Sequence, residues 1–160
     1  MSQSAKQNRT VYTIGYEGLT IESYINRLTQ SNITILADVR RNPISRKHGF
    51  SKRLLSQKIT DIGIIYLHIP ELGIASSYRE NLVEQKDYDN LFRWYKTEWL
   101  PSQKKPVDKL IRFIKLISFI DGGALLAITC FEKDYRRCHR SHLATWLKKH
   151  LSEGYKIKHL

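Results

Sequence analysis

Short apolar runs alternate along the chain with longer stretches in which apolar residues recur at helical spacing. Two of these runs, 33–37 and 124–129, consist of consecutive apolar or β-branched residues, so a strand formed there would be buried on both faces. Further β-rich runs at 11–14 and 64–69 predict two more strands, and 155–160 predicts an edge strand. Strands of this kind separated by helices are typical of parallel sheets. We therefore predict a three-layer α/β fold, with a mostly parallel sheet of four to five strands and helices on both faces.

The intervening helices are predicted from their capping residues and their apolar stripes. Aromatic rings in the segment 88–100 share one side of a helix, which favours a core role, although such rings can also stack on nucleic-acid bases. Cap and proline signals predict that helices begin at Thr20, Ser51, Pro106 and His139. The helix from Ser51 is predicted to end at Gly63, the one from Pro106 at the glycine pair 122–123, and the one from His139 at Leu151.

Length and cysteine content limit the domain organisation and the compartment. One hundred and sixty residues fit a single domain, predicted over 11–160. Residues 1–10 are predicted to form a flexible tail, because no apolar segment follows their one lysine and one arginine. No run of 18 apolar residues is present, so we expect no contact with the membrane interior. Two cysteines are too few for a disulfide framework and favour a reducing cytoplasm.

The chain is strongly basic, with 27 lysine and arginine residues against 15 acidic residues and a formal charge of +12. Such a charge favours anionic partners, which we expect to be nucleic acid or a phosphorylated small molecule. A high net charge also keeps a protein soluble without any ligand, so the composition alone does not choose between these roles.

The predicted strand ends bring two polar segments to one edge of the sheet. In an open parallel sheet, ligands bind beyond the carboxyl ends of the strands. The loop after the second strand contains Arg40 and Arg46 among six basic and no acidic residues between 40 and 53, which predicts an anion site. Asp38, at the end of that strand, is a candidate general acid or base. Alternatively, Asp38 only pairs with Arg40, and the loop is a solvated basic surface.

The second polar segment runs from the end of the most apolar strand into the last helix. Cys130 is a candidate nucleophile, because a thiol near arginines and a helix N-terminus has a lowered pKa. Glu132 is a candidate general acid or base, His139 a candidate proton carrier, and Arg140 a candidate phosphate ligand. Because His139 and Arg140 begin a helix, where positive charge is unfavourable, Glu132 is also the nearest carboxylate that could compensate them.

Two familiar motifs fit the cysteines poorly. Cys130 and Arg136 match the C-x5-R spacing of cysteine phosphatases, but the intervening FEKDY places two carboxylates where phosphate would bind. Cys130, Cys138 and His139 offer metal ligands, yet their C-x7-C-H spacing matches no standard zinc motif. We predict no metal and a structural role for Cys138, with a Cys/His metal site as the alternative.

Four motifs carry a resemblance to a known family. They are TIGYEG at 13–18, DVRRNPISR at 38–46, IYLHIPELG at 65–73 and CFEKDYRRCHR at 130–140. Together they resemble the prokaryotic family catalogued as domain of unknown function 488, over nearly the whole chain. The resemblance implies a compact α/β fold and no established activity, substrate or cofactor. It marks as signature residues Gly15, Asp38, Arg40, Pro43, Ser45, Arg46, Gly73, Cys130, Glu132, Cys138, His139 and Arg140.

From these features we expect an enzyme that acts on a phosphate-bearing substrate, either a nucleic acid or a nucleotide. Its candidate phosphate ligands are Arg40, Ser45, Arg46 and Arg140, and its candidate catalytic residues are Asp38, Cys130, Glu132 and His139. The alternatives are a non-catalytic nucleic-acid-binding module and a Cys/His metal-binding protein. The sequence identifies no cofactor.

Overall fold

The computed structural model describes residues 9–120, 123–151 and 153–160. Most of the tail predicted at 1–10 and part of the glycine pair predicted to end a helix at 122–123 lie outside the described residues. The first strand begins at Thr10. The division into a tail and a single domain over 11–160 stays a prediction.

Within the described residues, five strands form one sheet in which every neighbouring pair is parallel. In chain order they are β1 (Thr10–Gly15), β2 (Ile35–Asp38), β3 (Ile65–His68), β4 (Leu126–Cys130) and β5 (Lys156–His159). Across the sheet their order is β3-β2-β4-β1-β5. The predicted α/β fold is confirmed, and the predicted edge strand lies beside β1.

Six α-helices are found within the described residues. They are α1 (Ile21–Gln30), α2 (Lys52–Asp61), α3 (Gln85–Trp94), α4 (Leu100–Ser102), α5 (Lys104–Ile120) and α6 (His139–His150). A π-helical stretch, Tyr95–Trp99, joins α3 to α4, and short 3-10 turns lie at Pro70–Leu72, Ser76–Arg79 and Tyr135–Arg137. Among these helices, none is both long and apolar enough to cross a membrane.

The helix starts agree with their sequence signals to different degrees. The hydroxyl of Thr20 accepts a hydrogen bond from the backbone N–H of Ser23 at 3.1 Å, as an N-cap should. Ser51 occupies the N-cap position of α2, but its hydroxyl bonds to the backbone of Ser45 and caps nothing. The helix predicted to open at Pro106 begins earlier, at Lys104. Proline is tolerated there because the first helical turn does not need its N–H.

Helices cover both faces of the sheet. On one face, α1 and α2 bury residues such as Tyr24, Leu28, Leu55 and Ile59. On the other face, α3, α5 and α6 pack through residues such as Phe92, Leu110, Ile114, Leu143 and Leu147. Phe92 and Tyr95 are buried, so this part of the aromatic segment is core, as predicted. The three-layer arrangement is confirmed.

Candidate functional site

The carboxyl ends of the strands meet at one edge of the sheet. Gly15 at the end of β1 lies beside Cys130 at the end of β4, and Asp38 at the end of β2 lies beside Thr129. After β4 the chain enters α6 on one face, whereas after β1 and β2 it enters α1 and α2 on the other face. A crevice forms where neighbouring strands send their connections to opposite faces, and ligands bind in such crevices.

A cleft of about 300 Å³ occupies this position, between the loop after β2 and the segment after β4. We call it the strand-end cleft. The predicted site residues among those that line it are Arg40, Ser45, Arg46, Cys130, Glu132 and His139. The other predicted site residues, Asp38, Cys138 and Arg140, are buried and do not line it. Both polar segments found in the sequence therefore contribute to one cleft.

Asp38 and Arg40 form a buried ion pair beside the strand-end cleft. One carboxylate oxygen of Asp38 accepts hydrogen bonds from the backbone N–H and the Nε–H of Arg40, at 3.1 and 2.8 Å. The other oxygen accepts from Nη2 of Arg40 at 2.5 Å and from the Tyr66 hydroxyl at 2.6 Å. Both carboxylate oxygens are thus occupied. The observed contacts favour the pairing alternative over a role for Asp38 in proton transfer.

The remaining contacts of Arg40 are also internal. Its Nη1 donates to the backbone carbonyl of Phe50 at 2.7 Å and to the Tyr16 hydroxyl at 3.2 Å. Tyr16 stacks on the Phe50 ring, with centroids 4.4 Å apart. Burial opposes the charge of Arg40, but the hydrogen bonds and charge of Asp38 raise its pKa above the ordinary value. Arg40 therefore holds the loop at 40–53, which we call the basic loop, against the sheet. Its guanidinium has few N–H groups left for a ligand.

Arg140 has a similar internal role on the other side of the cleft, in the segment after β4. Its guanidinium donates to the backbone carbonyls of Glu132 and Lys133, at 2.6 and 3.2 Å. Glu132 was predicted to offset the positive charge at the start of α6. For Arg140 it does so through its main-chain carbonyl and not through its carboxylate. Nε of Arg140 is buried without a hydrogen-bond partner among the described residues. These contacts favour a positioning role for Arg140, which holds the segment after β4 in place.

Two signature glycines lie where the backbone of another segment leaves no room for a side chain. A Cβ added to Gly15 would lie 1.8 Å from the carbonyl oxygen of Glu132. A Cβ added to Gly73 would lie 2.3 Å from the carbonyl oxygen of Val39. Real Cβ contacts are longer than 3.0 Å. Both glycines are therefore needed for close backbone packing around the cleft.

The basic loop is closed by its own backbone. The carbonyl of Pro43, another signature residue, accepts from the backbone N–H of Lys52 at 2.9 Å. The first N–H of α2 is therefore not free for an anion. The hydroxyl of Ser45 accepts from the backbone N–H of Lys47 at 3.1 Å. Arg46 is exposed and makes no ion pair or side-chain hydrogen bond within the described part of the chain.

Glu132 is held at the cleft by Arg79, a residue that the sequence did not indicate. Arg79 lies on the 3-10 turn after β3, and its Nη1 forms an ion pair with Oε1 of Glu132. Its Nη2 donates to Nδ1 of His139 at 2.8 Å. The other carboxylate oxygen of Glu132, Oε2, is buried and has no hydrogen-bond partner among the described residues. No local pattern identifies Arg79, because its partner is 53 positions away in the sequence.

His139 is buried and neutral. Nε2 of its ring lies 3.4 Å from the backbone carbonyl of Val39, to which it donates, while Nδ1 accepts from Arg79. Burial, together with the positive charge of Arg79, lowers the pKa of His139 to about 3. The ring thus carries no proton on Nδ1 at neutral pH. This makes it a hydrogen-bond acceptor or a metal ligand, and a poor donor of a proton.

The two cysteines lie side by side, and Cys130 lines the cleft. Both are free and buried. The neighbouring Cys138 thiol and the positive charge of Arg79 lower the pKa of Cys130, against the effect of burial. Burial and the neighbouring Cys130 raise the pKa of Cys138. The ligand atoms of Cys130, Cys138 and His139 all lie within 4.8 Å of one another.

Comparison with known proteins agrees with the motifs found in the sequence. A family model described as "Domain of unknown function DUF488" matches residues 20–147. No curated protein was found to match the chain, and no solved structure was found to match it. The matched region spans more than three quarters of the 160 residues and includes both segments that line the cleft. The chain belongs to the DUF488 family.

Proposed function

We propose that the protein is an enzyme that acts on a phosphate-bearing substrate, a nucleic acid or a nucleotide, in the strand-end cleft. The observation that carries this proposal is the state of the Glu132 carboxylate. Arg79 anchors one oxygen, while the other oxygen is buried without a partner at the cleft. An unsatisfied buried oxygen costs free energy, so it is typical of a position where a ligand supplies the missing donor.

Glu132 is the best-placed general acid or base among the predicted carboxylates. Asp38 has both oxygens occupied by Arg40 and Tyr66, whereas Glu132 has one oxygen available for proton transfer. Arg79 fixes the orientation of the Glu132 carboxylate through its ion pair. His139 accepts a hydrogen bond from the same arginine and so helps to fix its position beside Glu132.

The choice of a phosphate-bearing substrate depends on the charge around the cleft. Arg41 and Arg46 line it with exposed guanidinium groups, and Arg79 lines its inner side. Arginine binds phosphate through paired N–H donors, and the net charge of +12 would attract such a substrate. The exposed Arg41 and Arg46 take the phosphate-binding role in this proposal. Arg40 and Arg140, for which the role was also predicted, bond to the protein itself, and Arg79 is bonded to Glu132 and His139.

Replacing Glu132 with glutamine is expected to lower kcat at least about a hundredfold, the usual cost of losing a general acid or base. Glutamine keeps the shape and a hydrogen bond to Arg79, so the thermal unfolding midpoint should change little. Turnover would be measured on p-nitrophenyl phosphate, bis(p-nitrophenyl) phosphate and end-labelled single-stranded and duplex oligonucleotides. The control is Glu153→Gln, at an exposed position outside the cleft. Equal turnover by both variants, or no turnover by the wild type on any of these substrates, would contradict the proposal.

A non-catalytic nucleic-acid-binding module is the second candidate function. It is favoured by the exposed side chains of Arg46, Lys52 and Arg53, which form no ion pair within the described residues. Affinity for nucleic acid that depends on such residues falls with salt, because bound cations are released from the phosphates.

Replacing Arg46 with alanine is expected to weaken binding to a single-stranded oligonucleotide and to reduce the slope of log K against log salt by about 0.7. Arg27→Ala removes the same charge from the exposed last turn of α1, which runs away from the cleft. That variant should keep the wild-type slope. Fluorescence anisotropy at several salt concentrations measures both quantities. A wild-type affinity that does not respond to salt would eliminate this second function.

A further inference from the structure

We infer that Cys130, Cys138 and His139 form a zinc-binding site with three protein ligands and a fourth position open to the strand-end cleft. The set of two thiolates and one imidazole suits zinc(II), and three protein ligands with an open position are typical of a catalytic zinc site. The inference does not rest on the proposed function, because zinc can bind whether or not a substrate is turned over.

The positions of the three ligand atoms support the site. They lie within 4.8 Å of one another, although they come from the end of β4 and the start of α6. Around a tetrahedral zinc ion, ligand atoms at its usual bond lengths are roughly 3.5 to 3.8 Å apart. Side-chain rotations that move these atoms by about an ångström or less are therefore enough to close the site. Cys130 and His139 line the cleft, so the open position faces it.

The imidazole of His139 is already oriented as a metal ligand. Its Nε2–H donates to the backbone carbonyl of Val39, which fixes the ring and leaves Nδ1 as the ligating atom. Metal-binding histidines almost always donate their second ring N–H to a carbonyl or carboxylate in this manner.

The two cysteines supply the negative charge that the ion needs. Both are free and buried, and their sulfurs lie within 4.8 Å of each other. Binding releases one proton from each thiol, so the two thiolates balance the two charges of the ion.

Arg79 is the group that has to yield when zinc binds. It now donates to Nδ1 of His139, the nitrogen that would bind zinc. Arg79 is partly exposed, and its other nitrogen keeps the ion pair with Glu132. Zinc therefore replaces a single hydrogen bond, and the Glu132 carboxylate stays at the cleft.

Cobalt(II) titration of the reduced full-length protein tests the site, because thiolate-bound cobalt absorbs in the near ultraviolet. We expect this charge-transfer band to saturate at one equivalent and to disappear when zinc is added. Cys130→Ser and Cys138→Ser each keep one thiolate, so the band should weaken in both variants. His139→Ala should weaken cobalt binding more than about a hundredfold, beyond the usual cost of losing an outer-shell partner. The matched control is His142→Ala, one turn further along α6, which should bind like the wild type.

Native mass spectrometry of the wild type needs no variant and therefore does not depend on whether the variants fold. The expected mass increase is one zinc ion less two protons. No bound zinc, no charge-transfer band, or equal cobalt affinity in His139→Ala and His142→Ala would overturn the inference. Glu132→Gln should still bind cobalt. A cobalt-binding protein without turnover would therefore contradict only the proposed function, and turnover without bound metal would contradict only the zinc site.

Discussion

Replacing Asp38 with asparagine is expected to lower the free energy of unfolding by about 3–5 kcal/mol, the cost of removing one partner of a buried ion pair. The guanidinium of Arg40 would stay buried without a counter-charge, since its side chain is only 5% exposed and Asp38 is fully buried. An asparagine amide cannot accept both guanidinium hydrogen bonds, and it also offers Tyr66 a weaker partner. Urea-induced unfolding followed by circular dichroism measures the change.

The chain contains a matched control for this substitution. Asp134 and Arg136 have the same spacing and the same contacts, in which the carboxylate accepts from the backbone N–H and from two guanidinium nitrogens. That pair is exposed, at 76% for Arg136 and 37% for Asp134. Asp134→Asn should therefore cost no more than about 1 kcal/mol. Equal losses from Asp38→Asn and Asp134→Asn would contradict the prediction. They would show that an unpaired Arg40 charge costs no more in the core than an unpaired Arg136 charge costs in solvent.

Replacing Gly15 with alanine is expected to destabilise the fold by about 3 kcal/mol, at the upper end of the usual cost of overpacking. The new Cβ would lie 1.8 Å from the Glu132 carbonyl oxygen and 2.6 Å from its carbon, so the backbone after β4 has to move. That movement strains the hydrogen bond from Arg140 to the same carbonyl, which is 2.6 Å long. Denaturant titration measures the loss, and cobalt binding reports whether the ligand atoms have separated.

Gly123→Ala is the control for the methyl group itself. A Cβ at Gly123 meets no described atom within 4 Å, so this variant should keep its stability or gain a few tenths of a kcal/mol from a stiffer unfolded chain. Gly73→Ala should behave like Gly15→Ala, because its Cβ would lie 2.3 Å from the Val39 carbonyl oxygen. Wild-type stability in Gly15→Ala would mean that the segment after β4 can move without cost.

The fold could be predicted because burial on both faces of a strand appears directly in consecutive apolar residues. The runs at 33–37 and 124–129 correspond to β2 and β4, which are neighbours in the sheet. The lateral order of the strands was not predictable, because it depends on contacts between distant segments. The short segment Lys156–His159 alternates exposed and half-buried residues, and nothing local assigns it to β1.

The location of the cleft followed from the rule that parallel strands end at the same edge, but the roles of its charged residues did not. Arg40 and Arg140 are as basic as Arg46 in the sequence, yet they are buried and bonded to the protein itself. A count of charges cannot separate an arginine that packs a loop from one that meets a ligand. Arg79, in contrast, was not predicted to belong to the site at all, because only the fold brings it to Glu132.

The order of the strands also affects how the molecule is assembled during synthesis. Of the five described strands, β1 is synthesised first, and it lies between β4 and β5, which are synthesised after the other three. Among these strands, β1 has no neighbour to pair with until residues 126–130 emerge, and its buried side chains lack one side of their packing. Contacts between such distant segments slow folding, because a long loop must close first. The cleft is thus completed only after β4 and the start of α6, which carry Cys130 and His139, have been translated.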